Sequence, residues 1–113
     1  MRVESNKFAL WPCPETVKVV FRKWPDGEVI ALFPQEPADL QGYICMSYLH
    51  VGQHGDASIS IVVRQTKLAE QKDYADLLDE LMDIGYTCIV IGKRCTGRDD
   101  EIRRQKAKEY REN

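Results

Sequence analysis

The chain has no apolar run long enough to span a bilayer: "VIALF" at 29–33 and "IVIG" at 89–92 fall far short of the roughly 20 residues such a helix needs. Nor does the start, "MRVESNKFALWPCPE", carry a sustained apolar stretch followed by a small-residue cleavage site, so a cytoplasmic protein without membrane association is expected. Cys13, Cys45, Cys88 and Cys95 form no C-x-x-C pair, and in the cytosol they read as reduced thiols, Cys88 as core packing. A net charge of −2 is too close to neutral for nucleic-acid binding by the chain as a whole. Internal repeats and low-complexity tracts are missing as well. Histidine is scarce, and both copies, His50 and His54, fall within "SYLHVGQHGD".

What is present is the balance of a soluble globular domain, 43% hydrophobic and 30% charged over 113 residues. That length suits a single core, burying about 60 to 70% of the unfolded surface. From Val17, "VKVVFRKW" alternates, with Val17, Val19 and Phe21 on one face and Lys18, Val20, Arg22 and Trp24 on the other. In "WPDGE", Pro25 presets the turn and Gly27 supplies positive φ, closing a hairpin into "EVIALF", a strand apolar on both faces and so internal to the sheet. The proline-bearing "PQEPADLQG" reads as a surface loop, "YICMSYLHV" as a third strand and "ASISIVVRQ" as a fourth, alternating Ile59, Ile61 and Val63.

In "EQKDYADLLDELMDIGY", Tyr74, Leu77, Leu78, Leu81 and Met82 recur at helical spacing and Gly85 stands at the terminating position. "TCIVIG" is then a fifth strand, and "GRDDEIRRQKAKEYREN" a charged helix with only Ile102, Ala107 and Tyr110 to bury, hence frayed or dependent on a partner. The expected fold is α+β: a single two-layer domain with a mixed, mostly antiparallel sheet of about five strands (β-β-β-β-α-β), one packed amphipathic helix and a charged C-terminal helix. Residues 1–16 form an extension, 17–95 the domain and 96–113 the tail.

The chemistry concentrates at the tip of the second hairpin. His50 and His54 have the H-x-x-x-H spacing that unites two imidazoles on a helix, but Gly52 and Gly55 disfavour a helix there. A zinc ion would need Cys45, Asp56 or a distant cysteine as well, so no metal or other cofactor is expected. Cys45 and His50 are an odd number of residues apart, which puts them on opposite strand faces and roughly 16 Å apart; the same parity separates Ser47 from His50. The glycine-bearing "VGQHGD" is no phosphate loop, and it reads first as a tight turn whose glycines supply positive φ. The candidate binding residues are therefore Ser47, Tyr48, His50, Gly52, Gln53, His54, Gly55 and Asp56, presenting imidazole outward from a sheet.

Charge is segregated. Glu70, Asp73, Asp76, Asp79, Glu80 and Asp83 face only Lys72, whereas 93–113 holds eight bases and five acids. An acidic helix face suits a basic protein partner, and "RRQKAK", without stacking aromatics, suits nucleic acid less well. Trp24, Phe33, Tyr43 and Tyr48 read as core, Trp11 as a packing residue or an anchor for another chain.

The stretch "VVFRKWPDGEVIALFPQEPADLQGYICMSYLHVGQHG" resembles a family of small uncharacterised bacterial proteins associated with phage and other mobile elements. The likeness spans roughly Val17 to Ile91 and is most specific up to Gly55. It implies that the 50–56 loop is more than filler, and it brings no assigned activity or site residues. Together these readings describe a cytoplasmic interaction module that holds a protein partner, or less readily a nucleic acid, through the 50–56 hairpin tip. The alternative is a small enzyme or metal-dependent protein using His50 and His54 with Asp56 or Cys45.

Overall fold

The alternation in the first strand segment builds the centre of a sheet. The computed structural model describes residues 16–49 and 53–112, so the N-terminal extension with Trp11 lies outside the described residues. Strand β1 (Val17–Lys23) turns at Gly27, whose φ is 97°, into β2 (Val29–Pro37), and Phe21 lies opposite Ala31. Asp26 accepts the Glu28 amide at 2.9 Å and locks that turn. β3 (Cys45–Leu49) and β4 (Gln53–Ala57) follow, then α1 (Ile59–Gln65), β5 (Lys67–Leu68), α2 (Gln71–Asp83), β6 (Ile89–Gly92) and α3 (Gly97–Glu112). The sheet runs β4-β3-β2-β1, and the outer edge of β1 is divided: β6 pairs parallel along Val17–Val20, β5 antiparallel at Arg22 and Lys23.

The two faces of β1 feed two cores. Val19, Phe21, Ala31, Phe33 and Tyr48 pack against Leu77 and Leu81 of α2. On the opposite face Val20, Ile30, Leu32, Cys45 and Ala57 pack with Val62 of α1. The α+β domain is thus as expected, but helices lie on both faces of the sheet instead of one.

Several features depart from the sequence reading. "ASISIVVRQ" is helical over 59–65, because Ile59 and Val62 also satisfy helical spacing and both turn to the second core, which leaves Ile61 and Val63 exposed. "PQEP" continues β2 instead of leaving the sheet: the ladder shifts register between Phe33 and Pro37, and at such an irregularity a missing N–H is tolerated. Cys88, read as a reduced thiol in the core, is half-buried and disulfide-bonded, its partner outside the described residues, whereas Cys45 and Cys95 are free.

The charged C-terminal segment is a docked helix, not a frayed one. Its start is capped reciprocally: Thr96 Oγ1 accepts the Asp99 amide at 3.1 Å, and Asp99 Oδ2 accepts the Thr96 amide at 2.9 Å. Asp99, Arg103 and Ala107 form its buried stripe, a polar one that a search for apolar periodicity passes over. Arg103 donates to the carbonyls of Gly42 (2.8 Å) and Pro34 (2.7 Å) and to Asp100. Lys106 meets Glu36 at 2.5 Å, so only part of the "RRQKAK" run faces solvent.

Asp99 also receives Lys18 at 2.7 Å and Gln35 at 2.9 Å. Burial alone would push its carboxyl up, but the bonds from Lys18, Gln35 and the Thr96 amide outweigh it and hold the group below the usual carboxylate range. A folded pKa below the unfolded one stabilises the fold above the unfolded value and loses that contribution as pH falls through the folded value. Urea unfolding of wild type and Asp99→Asn is expected to differ at about pH 7 and to converge as the pH falls below the ordinary carboxylate range. A difference in midpoint that stays constant across that window contradicts the assignment.

Candidate functional site

Five residues that the sequence places around a turn form a strand. Gln53–Ala57 pairs antiparallel with β3, with His54 opposite Tyr48, Gly55 opposite Ser47 and Asp56 opposite Met46. His54 to Asp56 are thus not at the hairpin tip. That tip, with His50 and Gly52, lies outside the described residues. Gly55 is not among the positive-φ glycines; it sits in extended pairing, with Ser47 Oγ 3.7 Å from where a Cβ would stand.

Strand parity separates the candidates. His54 and Asp56 share the α2 face with Tyr48, whereas Ser47, Gly55 and Cys45 turn towards the α1 side. Ser47 is buried, its hydroxyl 3.5 Å from the Asp56 carbonyl. Tyr48 is buried too and donates its hydroxyl to Glu80 of α2. These two hold β3 in place and present nothing outward. His54 is exposed on a wall of rings: its imidazole meets the Tyr48 ring edge-on at 4.7 Å, Nε2 lies 3.0 Å from the Tyr86 hydroxyl, and Tyr86 stacks on Phe33 at 5.3 Å. Burial first, then Glu36, pushes the Tyr86 phenol up, so it remains protonated as a hydrogen-bonding partner for the ring.

The pairing of a cysteine with an imidazole fails on geometry. Cys45 is fully buried on the opposite face from His54, and desolvation, helped by Cys95, pushes its thiol up to about 12. Among the described residues no group of three His, Cys, Asp or Glu is placed to hold a metal ion.

No protein family, curated protein or solved structure matches this chain.

A second concave site was missed in the sequence. On the α1 and α3 side a cleft of about 510 Å³ opens between α1, the segment after β6, and α3, lined among others by Arg22, Arg64, Arg94, Arg103 and Asp100. Ser58 and Ser60 supply hydroxyls at one wall and Tyr43, read as core but in fact 66% exposed, borders it. One signal was present: Arg22 shares a strand face with Val20, and an arginine on a face that packs inward needs acceptors. It finds them in Thr66 Oγ1 (3.0 Å) and the carbonyls of Val63 (3.1 Å) and Thr66 (2.7 Å). Arg64 gave no such signal, since the assumed strand pointed it simply at solvent.

Among the described residues no helix is long and apolar enough to cross a membrane.

Proposed function

We propose that this chain is a cytoplasmic protein-interaction module, of the accessory kind that its resemblance to mobile-element proteins implies, which associates through the free edge of β4 with the same strand of a second copy. One observation carries the reading. β4 stands at the end of the sheet order, with β3 as its partner, so one row of its backbone N–H and C=O groups pairs with no other strand among the described residues. Its sequence, Gln53-His54-Gly55-Asp56-Ala57, is self-complementary when laid antiparallel about Gly55. His54 of one copy then stands opposite Asp56 of the other, twice, on the face shared with Tyr48. Opposite charges directly across a ladder favour pairing, and a two-fold axis requires such a self-complementary patch.

The acidic residues of α2 reinforce this choice over nucleic acid. Glu80 lies beneath His54 through Tyr48, so the ground around β4 repels phosphate. A five-residue edge is short, and association belongs to the weak, transient class. Within its own chain His54 faces the Tyr48 and Tyr86 rings, with Glu80 behind Tyr48, and across the two-fold its imidazole meets the Asp56 carboxylate.

Sedimentation velocity over a concentration series tests this. A reversible monomer–dimer equilibrium is expected, and it should be lost in Asp56→Lys, which removes the carboxylate opposite the imidazole while altering an exposed side chain. A monomer at every concentration, or a dimer that persists in Asp56→Lys, contradicts the proposal.

A further inference from the structure

The arginine cleft lies apart from the β4 edge and asks a separate question. Four guanidiniums line it against one carboxylate, that of Asp100, which Arg103 engages at 2.8 Å. Arg103 is fully committed to its partners, but its two carbonyl acceptors carry no charge. Arg22 is half-buried, and each of its acceptors is a hydroxyl or a carbonyl, so its positive charge meets no carboxylate among the described residues. Arg64 and Arg94 are exposed at the mouth and likewise meet no carboxylate there. Partly desolvated positive charge without a counter-charge is unfavourable by itself and raises affinity for an anion.

We infer that this cleft binds a small phosphate monoester, with Arg64 and Arg94 clamping the phosphate above the fixed guanidinium of Arg22 and the apolar wall of Val20, Ile59 and Val63 receiving the organic group. Guanidinium forks match phosphate oxygens bidentately, and a near-dianion suits several guanidiniums better than a carboxylate does. A volume of about 510 Å³ falls within the range of small-molecule sites and does not admit a nucleic-acid duplex. The apolar wall distinguishes an ester from the bare ion. Arg22 is immobilised by its carbonyl and hydroxyl acceptors before any ligand arrives, so less ordering accompanies binding.

Cys95 also lines the cleft, and proximity to arginines suggests a thiolate nucleophile. The thiol is nonetheless pushed up to about 11, first by burial and then by Asp99, which outweigh Lys18, Arg103 and Arg22. The cleft therefore holds its ester without cleaving it through sulfur.

Calorimetric titration of the full chain with phenyl phosphate, inorganic phosphate and phenol reads this directly. Phenyl phosphate is expected to bind one site per chain and remain intact, inorganic phosphate to bind more weakly, and phenol not at all. The double variant Arg64→Ala, Arg94→Ala removes two charge-assisted contacts and should weaken phenyl phosphate about a hundredfold. The control Arg98→Ala, Lys108→Ala removes the same charge from the exposed side of α3 and should change affinity less than about threefold. Because all four side chains are exposed, the unfolding midpoint of either variant should stay near that of wild type. No saturable binding, equal losses in the two double variants, or tighter binding of a DNA duplex than of phenyl phosphate each overturns the inference.

Discussion

Replacing Arg103 by alanine is expected to lower the unfolding free energy by about 3 to 4 kcal/mol, the largest loss of any single substitution discussed for α3. The residue is 3% exposed and carries three hydrogen bonds, two of which tie α3 to the rest of the molecule, Nε to the Gly42 carbonyl and Nη1 to the Pro34 carbonyl, while the third, Nη2 to Asp100, lies within α3. Truncation leaves two carbonyls without their donor and opens the space of the guanidinium stem. The exposed half of the Asp100 pair contributes little, since Asp100 is 43% exposed and screened. Arg103→Lys, which reaches one carbonyl with a single ammonium, should recover about half the loss. Chemical unfolding followed by circular dichroism measures both. A loss in Arg103→Ala below about 1 kcal/mol, the scale of a surface substitution, means that α3 is not held in this way.

The companion substitution tests the same contact from the other side. Gly42 has a φ of 79°, and a Cβ there would stand 2.9 Å from the Arg104 Cα and 3.0 Å from the Ala107 Cβ. Left-handed backbone costs a side-chain-bearing residue roughly 1 to 2 kcal/mol, and displacing the helix backbone adds a similar amount, so Gly42→Ala should destabilise by about 3 kcal/mol. Gly27→Ala is the useful comparison: its φ of 97° is equally strained, but nothing lies within 4 Å of a Cβ there. It should show the backbone cost alone. Equal losses at the two positions contradict close docking of α3 on the 38–44 loop. Coupling is also expected, because either change moves α3 away from the same carbonyl, so the double variant Gly42→Ala, Arg103→Ala should lose less than the sum of its parts.

How far the sequence speaks for this fold depends on which signal each element carries. β1, β2 and α2 announce themselves through alternation, the Pro25–Gly27 turn and the Leu77 and Leu81 stripe, and these set the first core. α1 does not, because seven residues rich in β-branched side chains satisfy both periods, and only packing on Ala57 and Leu32 selects the helix. α3 is obscured by a different cause. Its buried stripe is Asp99, Arg103 and Ala107, and two of these are charged, so burial follows from partners on Lys18, Pro34 and Gly42 that lie 60 or more residues away.

The candidate site divides along the same line. That His54 and Asp56 are candidates follows from local composition, and the two share one face of β4. Their position in a strand instead of a turn follows from pairing with Ser47 and Tyr48, which no local signal encodes. The arginine cleft needs α1, the 93–96 segment and α3 together. With α1 read as a strand and α3 as a tail, neither wall existed in the sequence account.

Self-pairing at β4 is tested most directly by amide hydrogen exchange at residue resolution, comparing dilute with concentrated protein at about pH 6. Outward amides within Gln53–Ala57 should become protected as concentration rises, while those of β2, inside the sheet at any dilution, stay unchanged. Protection of β4 amides that is the same at all concentrations, or concentration-dependent protection that falls elsewhere, contradicts the account.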